Sequence, residues 1–127
     1  MKIKLYLLST MFIISACLSD SGEKLPEPKP VSTEEIKRVV ISDYSVLVLV
    51  NCAVPEPCWT YVRTDQSING SEINLTVIAR RTTNDPCIQV MSSIDPEMQL
   101  TMPTAGSYTL KFWRHDGTTI DTTIVIQ

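Results

Sequence analysis

The side chains able to do covalent or ligand chemistry are few: four cysteines (Cys17, Cys52, Cys58, Cys87) and one histidine, His115. A closed zinc site takes four thiolate or imidazole donors, commonly with a CxxC pair. No CxxC occurs here, and His115 lies in His115-Asp116-Gly117, which has the composition of a turn. We therefore expect no metal at Cys52, Cys58, Cys87 and His115. Met91, Met98 and Met102 read as core and strand residues rather than copper ligands. His115 beside Asp116 invites a Ser–His–Asp reading, but no serine stands in a GxSxG context. The carboxylates are scattered, and none of the four glycines belongs to a phosphate-cradling loop. The expectation is a protein with no catalytic residues and no cofactor. Arg80-Arg81, at a strand exit, reads as a solvated edge that discourages strand pairing rather than as an anion site.

The fourth cysteine has a different context. Lys2 and Lys4 precede an apolar stretch, Leu5 to Ala16, too short for the roughly 20 residues of a comfortable membrane-spanning helix. It fits the hydrophobic region of a secretory signal. It ends in Ile14-Ser15-Ala16-Cys17, which resembles the bacterial lipobox. The resemblance implies a signal peptide over 1–16, cleavage before Cys17, and acylation of that residue's thiol and new amine. Two or three acyl chains anchor durably where one is marginal. Leu18, in place of Asp, favours the outer membrane by resemblance to the sorting rule of two-membrane bacteria. Ser19 to Pro30 is polar and Pro-rich. Leu25-Pro26-Glu27-Pro28-Lys29-Pro30 should be an extended, semi-rigid spacer, so residues 17–31 are expected to be a tether that lifts the domain off the headgroups.

An exported location permits a disulfide. With Cys17 assigned to lipid, three thiols remain and one stays over. Cys58–Cys87 is the favoured pair: Cys58 opens a strand (Trp59, Tyr61, Val62), and Cys87 follows a turn into another (Ile88, Val90). Cys52–Cys58, around Pro55-Glu56-Pro57, is the runner-up. If Ile88 and Val90 face inward, alternation points Cys87 outward, which counts against the favoured pair.

The elements that must position these residues are strands. Thr33 to Arg38 can open a helix but runs directly into Val39-Val40-Ile41, which favours a strand. Val46 to Val50 is a continuous aliphatic run, expected as a central strand buried on both faces. Ile73, Leu75, Val77 and Ala79 alternate with mostly polar residues. So do Met98, Leu100 and Met102, then Tyr108, Leu110 and Phe112, then Ile120, Thr122, Ile124 and Ile126. Asn69-Gly70, Asn84-Asp85-Pro86, Ala105-Gly106 and Asp116-Gly117 supply the turns. Leu100 to Tyr108 resembles the corner entering the penultimate strand of immunoglobulin-like and fibronectin-like domains, in which a tyrosine hydroxyl bonds upstream backbone. The expected fold is all-β: an immunoglobulin-like antiparallel β-sandwich of about seven strands over residues 32–127.

The formal charge is −3, and removing the segment with Lys2 and Lys4 takes it to about −5. That balance offers no electrostatic footprint for nucleic acid. The reading is a non-catalytic interaction module at the bacterial cell envelope, held by lipid, with an envelope protein or glycan as partner. Trp59, Tyr61 and an outward-facing Trp113 are its candidate aromatic contacts. The alternatives are an inhibitor of a secreted hydrolase acting through the Pro55-Glu56-Pro57 loop, or an accessory subunit adding an edge strand to an envelope complex. A sandwich alone does not decide between them.

Overall fold

The computed structural model describes residues 24–127. Eight strands are present: β1 (Lys29–Ser42), β2 (Ser45–Val54), β3 (Trp59–Asn69), β4 (Glu72–Arg81), β5 (Ser92–Ile94), β6 (Glu97–Thr101), β7 (Gly106–Trp113) and β8 (Thr119–Ile126). The eighth arises because Pro96, which has no N–H to donate, separates β5 from β6 on the same side of β2. Pro96 still contributes its carbonyl, which accepts the Val50 N–H at 3.1 Å.

The chain is all-β and forms a sandwich. One layer is β1, β2 and the β5/β6 pair of short strands. The other is β3, β4, β7 and β8. β1 belongs to both. Lys29–Val31 pair with Ala79–Val77 of β4, and from Ser32 onward the strand pairs with β2. Two register shifts, at Thr33/Glu35 and Ile36/Arg38, follow the crossing.

Alternation fills the space between the layers. Val46, Val48 and Val50 of β2 face Ile73, Leu75, Val77 and Ala79 of β4, with Met98 and Leu100 of β6 and Leu110 and Phe112 of β7, all in one buried cluster. Leu47 and Leu49 are only half-buried, so β2 is buried on one face rather than both. Its aliphatic run reflects a central strand with neighbours on each side, not a third layer.

One pairing departs from a wholly antiparallel sheet. Glu72–Leu75 of β4 run parallel to Thr109–Phe112 of β7. The chain route requires it. After β4 the chain crosses to the other layer, and β5 and β6 carry it back along the molecule. β7 therefore re-enters in the direction of β4, as a crossover connection dictates.

Three of the expected turns hold glycine at positive φ: Gly70 (63°), Gly106 (142°) and Gly117 (82°). A further tight turn joins β1 to β2, with Asp43 at φ 54°, a conformation that Asp tolerates better than most residues. The tyrosine corner forms as expected: Tyr108 donates its hydroxyl to the Thr104 carbonyl at 2.8 Å, and its ring is buried.

The expected tether is partly docked. β1 begins at Lys29, ahead of the domain start expected at 32, and Val31 is already core. Upstream of it, the Lys24 carbonyl accepts from Asn84 Nδ2 at 3.0 Å and the Pro26 carbonyl from Arg80 Nη2 at 3.5 Å. Prolines remove donors but keep acceptors, and those acceptors bind the segment to the domain.

Tyr108→Phe removes the donor at the corner and leaves the Thr104 carbonyl short of one bond. It should cost about 0.5–1.5 kcal/mol. Urea unfolding would show a lower midpoint at unchanged slope; an unchanged midpoint would mean the corner bond contributes nothing.

Candidate functional site

Five chain segments meet at one end of the sandwich: the start of β1, the end of β2, the start of β3, Met91 just ahead of β5, and the 113–118 turn. Between them lies an open groove of about 700 Å³. Trp59, Trp113, Met91, Val54 and Pro55 make most of its wall, and Lys29, Ser32, Glu34 and His115 supply its polar groups. The volume is in the range of small-molecule sites, and an apolar wall with few polar groups is their usual make-up.

The polar edge is built across the strand crossing. Ser32 is buried, and its Oγ accepts the His115 backbone N–H at 3.2 Å and lies 3.1 Å from His115 Nδ1. Arg114 Nη2 donates to Glu34 Oε2 at 2.9 Å. A hydrogen bond from Ser32, then the Arg114 guanidinium, hold the Glu34 carboxyl below its ordinary range. So Ser32, Glu34, Arg114 and His115 form one latch tying β1 to the 113–118 turn.

The Ser32 oxygen that meets the imidazole also accepts the His115 main-chain N–H. Asp116 is committed elsewhere: its Oδ1 accepts the Thr118 backbone N–H at 3.0 Å and the Thr118 hydroxyl at 2.5 Å, the local turn bonding expected of His-Asp-Gly. Those Thr118 bonds keep the Asp116 carboxyl ionised to lower pH than usual.

Cys58 and Cys87 are joined as a disulfide. Cys52 is a buried thiol, with the Thr33 hydroxyl 3.5 Å away. Burial pushes its pKa up to about 11. The soft donors weighed for a metal are thus not gathered, and among the described residues no three His, Cys, Asp or Glu groups are placed to hold one. Cys17 and the apolar stretch before it lie outside the described residues.

The strand expected after Cys87 does not form. Residues 87–91 are irregular, with Ile88, Val90 and Met91 exposed. The parity objection to Cys58–Cys87 rested on that strand and falls with it: an irregular segment has no alternation to obey. Arg80 and Arg81 also differ from the solvated edge expected of them. Arg81 pairs with Glu56 at 3.4 Å, both side chains largely buried, and donates to the Asp85 carbonyl at 2.9 Å. Gln89 Nε2 reaches the same Glu56 at 3.0 Å. The Pro55-Glu56-Pro57 loop and the disulfide loop are therefore held together by an inward-turned carboxylate.

Of the three candidate aromatics, Trp59 and Trp113 line the groove. Tyr61 packs on the core, its hydroxyl 2.8 Å from Thr64 Oγ1. Trp113 is half-buried, on the face of β7 opposite the buried Tyr108, Leu110 and Phe112. The Trp59 indole N–H is buried without an acceptor among the described residues, a costly state for such a group. Nothing in the sequence pattern singles out Ser32, Glu34 or Arg114. Ser32 and His115 are 83 positions apart, and no local pattern marks the crossing that joins them.

A family model, the ORF11 beta-sandwich domain, matches residues 48–126. Neither the search of curated proteins nor that of solved structures returned a match.

Two outcomes are expected. Replacing Cys58 and Cys87 together by Ala opens a loop of 29 residues and should cost about 3–4 kcal/mol by loop-closure entropy, read from the denaturant midpoint. An unchanged midpoint would refute it. Because the folded pKa of Glu34 is depressed, its contribution is present above pH 4.5 and is lost as pH falls through the lowered value. Glu34→Gln should therefore destabilise at neutral pH and flatten the stability profile below pH 4.5. An acid limb identical to the wild type's would exclude Glu34 as a source of it.

Proposed function

The chain belongs to the ORF11 beta-sandwich domain family, and from that premise we propose that it is a non-catalytic interaction module of the bacterial envelope, anchored by lipid on Cys17, which takes an apolar segment of an envelope protein into its end groove. The observation that carries the reading is the pairing of Trp59 and Trp113 in one groove with Val54 and Pro55. Aromatic side chains in a partly desolvated recess are the usual anchors of protein recognition. The wall holds few hydroxyl, amide or carboxyl groups to read a sugar's many hydroxyls, which favours a protein segment over a glycan. The latch of Ser32, Glu34, Arg114 and His115 keeps one wall fixed before binding, so little ordering cost remains to be met.

Lipid anchoring rests on the lipobox-like Ile14-Ser15-Ala16-Cys17 after a short apolar stretch. It places the groove on a tethered rather than a diffusing molecule.

A second reading draws on one specific observation. The Pro55-Glu56-Pro57 loop borders the groove, exposes both prolines and is braced by Arg81, Gln89 and the Cys58–Cys87 bridge. A rigid exposed loop is what an inhibitor of a secreted hydrolase presents. Assays against proteases and lysozyme separate the two, since only the inhibitor slows them.

A photo-crosslinking side chain at Pro55 in intact cells should give one discrete protein adduct. Trp113→Ala should weaken it about tenfold or more, since losing an aromatic anchor of this kind costs about 2 kcal/mol. Adducts on glycan would move the partner class, and no adduct at all would remove the proposal.

A further inference from the structure

We propose that the Cys87–Met91 segment, at the rim of the groove, rests on the lipid surface, with the groove opening beside it along the membrane. Ile88 is 70% exposed, Val90 58% and Met91 75%, three apolar side chains in a row of five with only Gln89 between them. They are not strand residues that lost a neighbour. The segment is irregular, and Cys87, Gln89 and the loop bracing hold it in place: Cys87 through its disulfide, Gln89 through Glu56. A fixed apolar tip of this kind is unfavourable in water unless something covers it.

The path of the chain says what covers it. Lys24 and Pro26 are hydrogen-bonded to Asn84 and Arg80, so the polypeptide leaves the domain beside the same loop. Cys17 is only seven residues before Lys24. Seven residues span at most about 25 Å even when fully extended. That length bounds how far an acylated Cys17 can lie from Lys24, at the end that carries Ile88, Val90 and Met91. Another exposed apolar group, Val40, Ile41 and Tyr44, is at the far tip of the β1–β2 turn. β1 runs 14 residues from the chain exit to that tip, a length of about 45 Å. The short reach that brings one patch to the bilayer keeps the other in water.

Three side chains would bind a membrane weakly on their own. Tethering changes this, because the second contact becomes intramolecular, with a high effective concentration over a short linker. The nearby charges are mixed, with Lys24, Lys29, Glu27 and Asp85 around the loop, so contact rests on apolar insertion rather than on anionic lipid.

This inference rests on the lipid anchor at Cys17 proposed above, and the test separates the two. The lipidated chain, labelled with ¹⁵N, is placed in phosphatidylcholine nanodiscs carrying a spin-labelled headgroup lipid, and acylation of the Cys17 peptide is read by mass spectrometry. With Cys17 acylated, amide signals of Ile88 to Met91 should be lost while those of Val40 to Tyr44 persist. Changing Ile88, Val90 and Met91 together to Ser should restore signals in that loop. All three are exposed, so the fold should survive, as an intact Cys58–Cys87 bridge and an unchanged amide spectrum elsewhere would verify. Acylated protein whose 88–91 signals persist would overturn the membrane contact alone. Unacylated Cys17 would overturn both the contact and the anchor.

Discussion

A single strand holds the two layers together. β1 spends its first three residues in hydrogen bonds to β4 and the rest in hydrogen bonds to β2. A strand that changes sheets must pass through the space between them, where backbone and side chains alike lose water and need partners. Among the described residues, the buried polar ones are Ser32 and Thr33, both at this crossing. Ser32 bonds the main chain and ring of His115, and Thr33 meets the thiol of Cys52. Short hydroxyl side chains suit the place: they fill little volume and can donate and accept within a tight space. The register shifts just beyond them absorb the change of direction.

The groove is a by-product of that crossing. β4 is paired with β7 at its beginning and with β1 at its end, so the two meet along one flank of β4. A recess is left where β7 stops at Trp113 and β1 crosses from β4 to β2. The space is walled by whatever projects there, including the two tryptophans. Its polar rim is the same set of bonds that secures the crossing, so stability and recognition draw on common residues. Changes at Ser32 or Glu34 act on both.

Local alternation made most of the core legible. Each of the period-2 sets in β4, β6 and β7 is buried as its spacing implies, because in a sandwich the side-chain direction follows the pleat. The tyrosine corner and the Cys58–Cys87 bridge were also within reach, since a turn motif and a scarcity of thiols leave few arrangements. Three things were not. Ile88 and Val90 have strand composition but follow Pro86 and the bridge at Cys87, and the segment forms no ladder. Arg80 and Arg81 look like surface residues, and only the folding back of Glu56 gives Arg81 a half-enclosed partner. The latch joins residues too distant in the chain for any local pattern to report. Composition gives which residues are apolar; it does not give which loops come to rest against each other.

The thiol of Cys52 has a bearing on how the molecule acquires its covalent form. The three cysteines of the described residues can form a bridge in three ways, and exchange among them proceeds only through a thiolate. β2 removes one of the three from that exchange by closing the core over it and holding its proton on. Once the aliphatic side chains of β2 have collapsed against β4, oxidation has two sulfurs left to choose from. Burial of Cys52 in the core thus favours the pairing of Cys58 with Cys87.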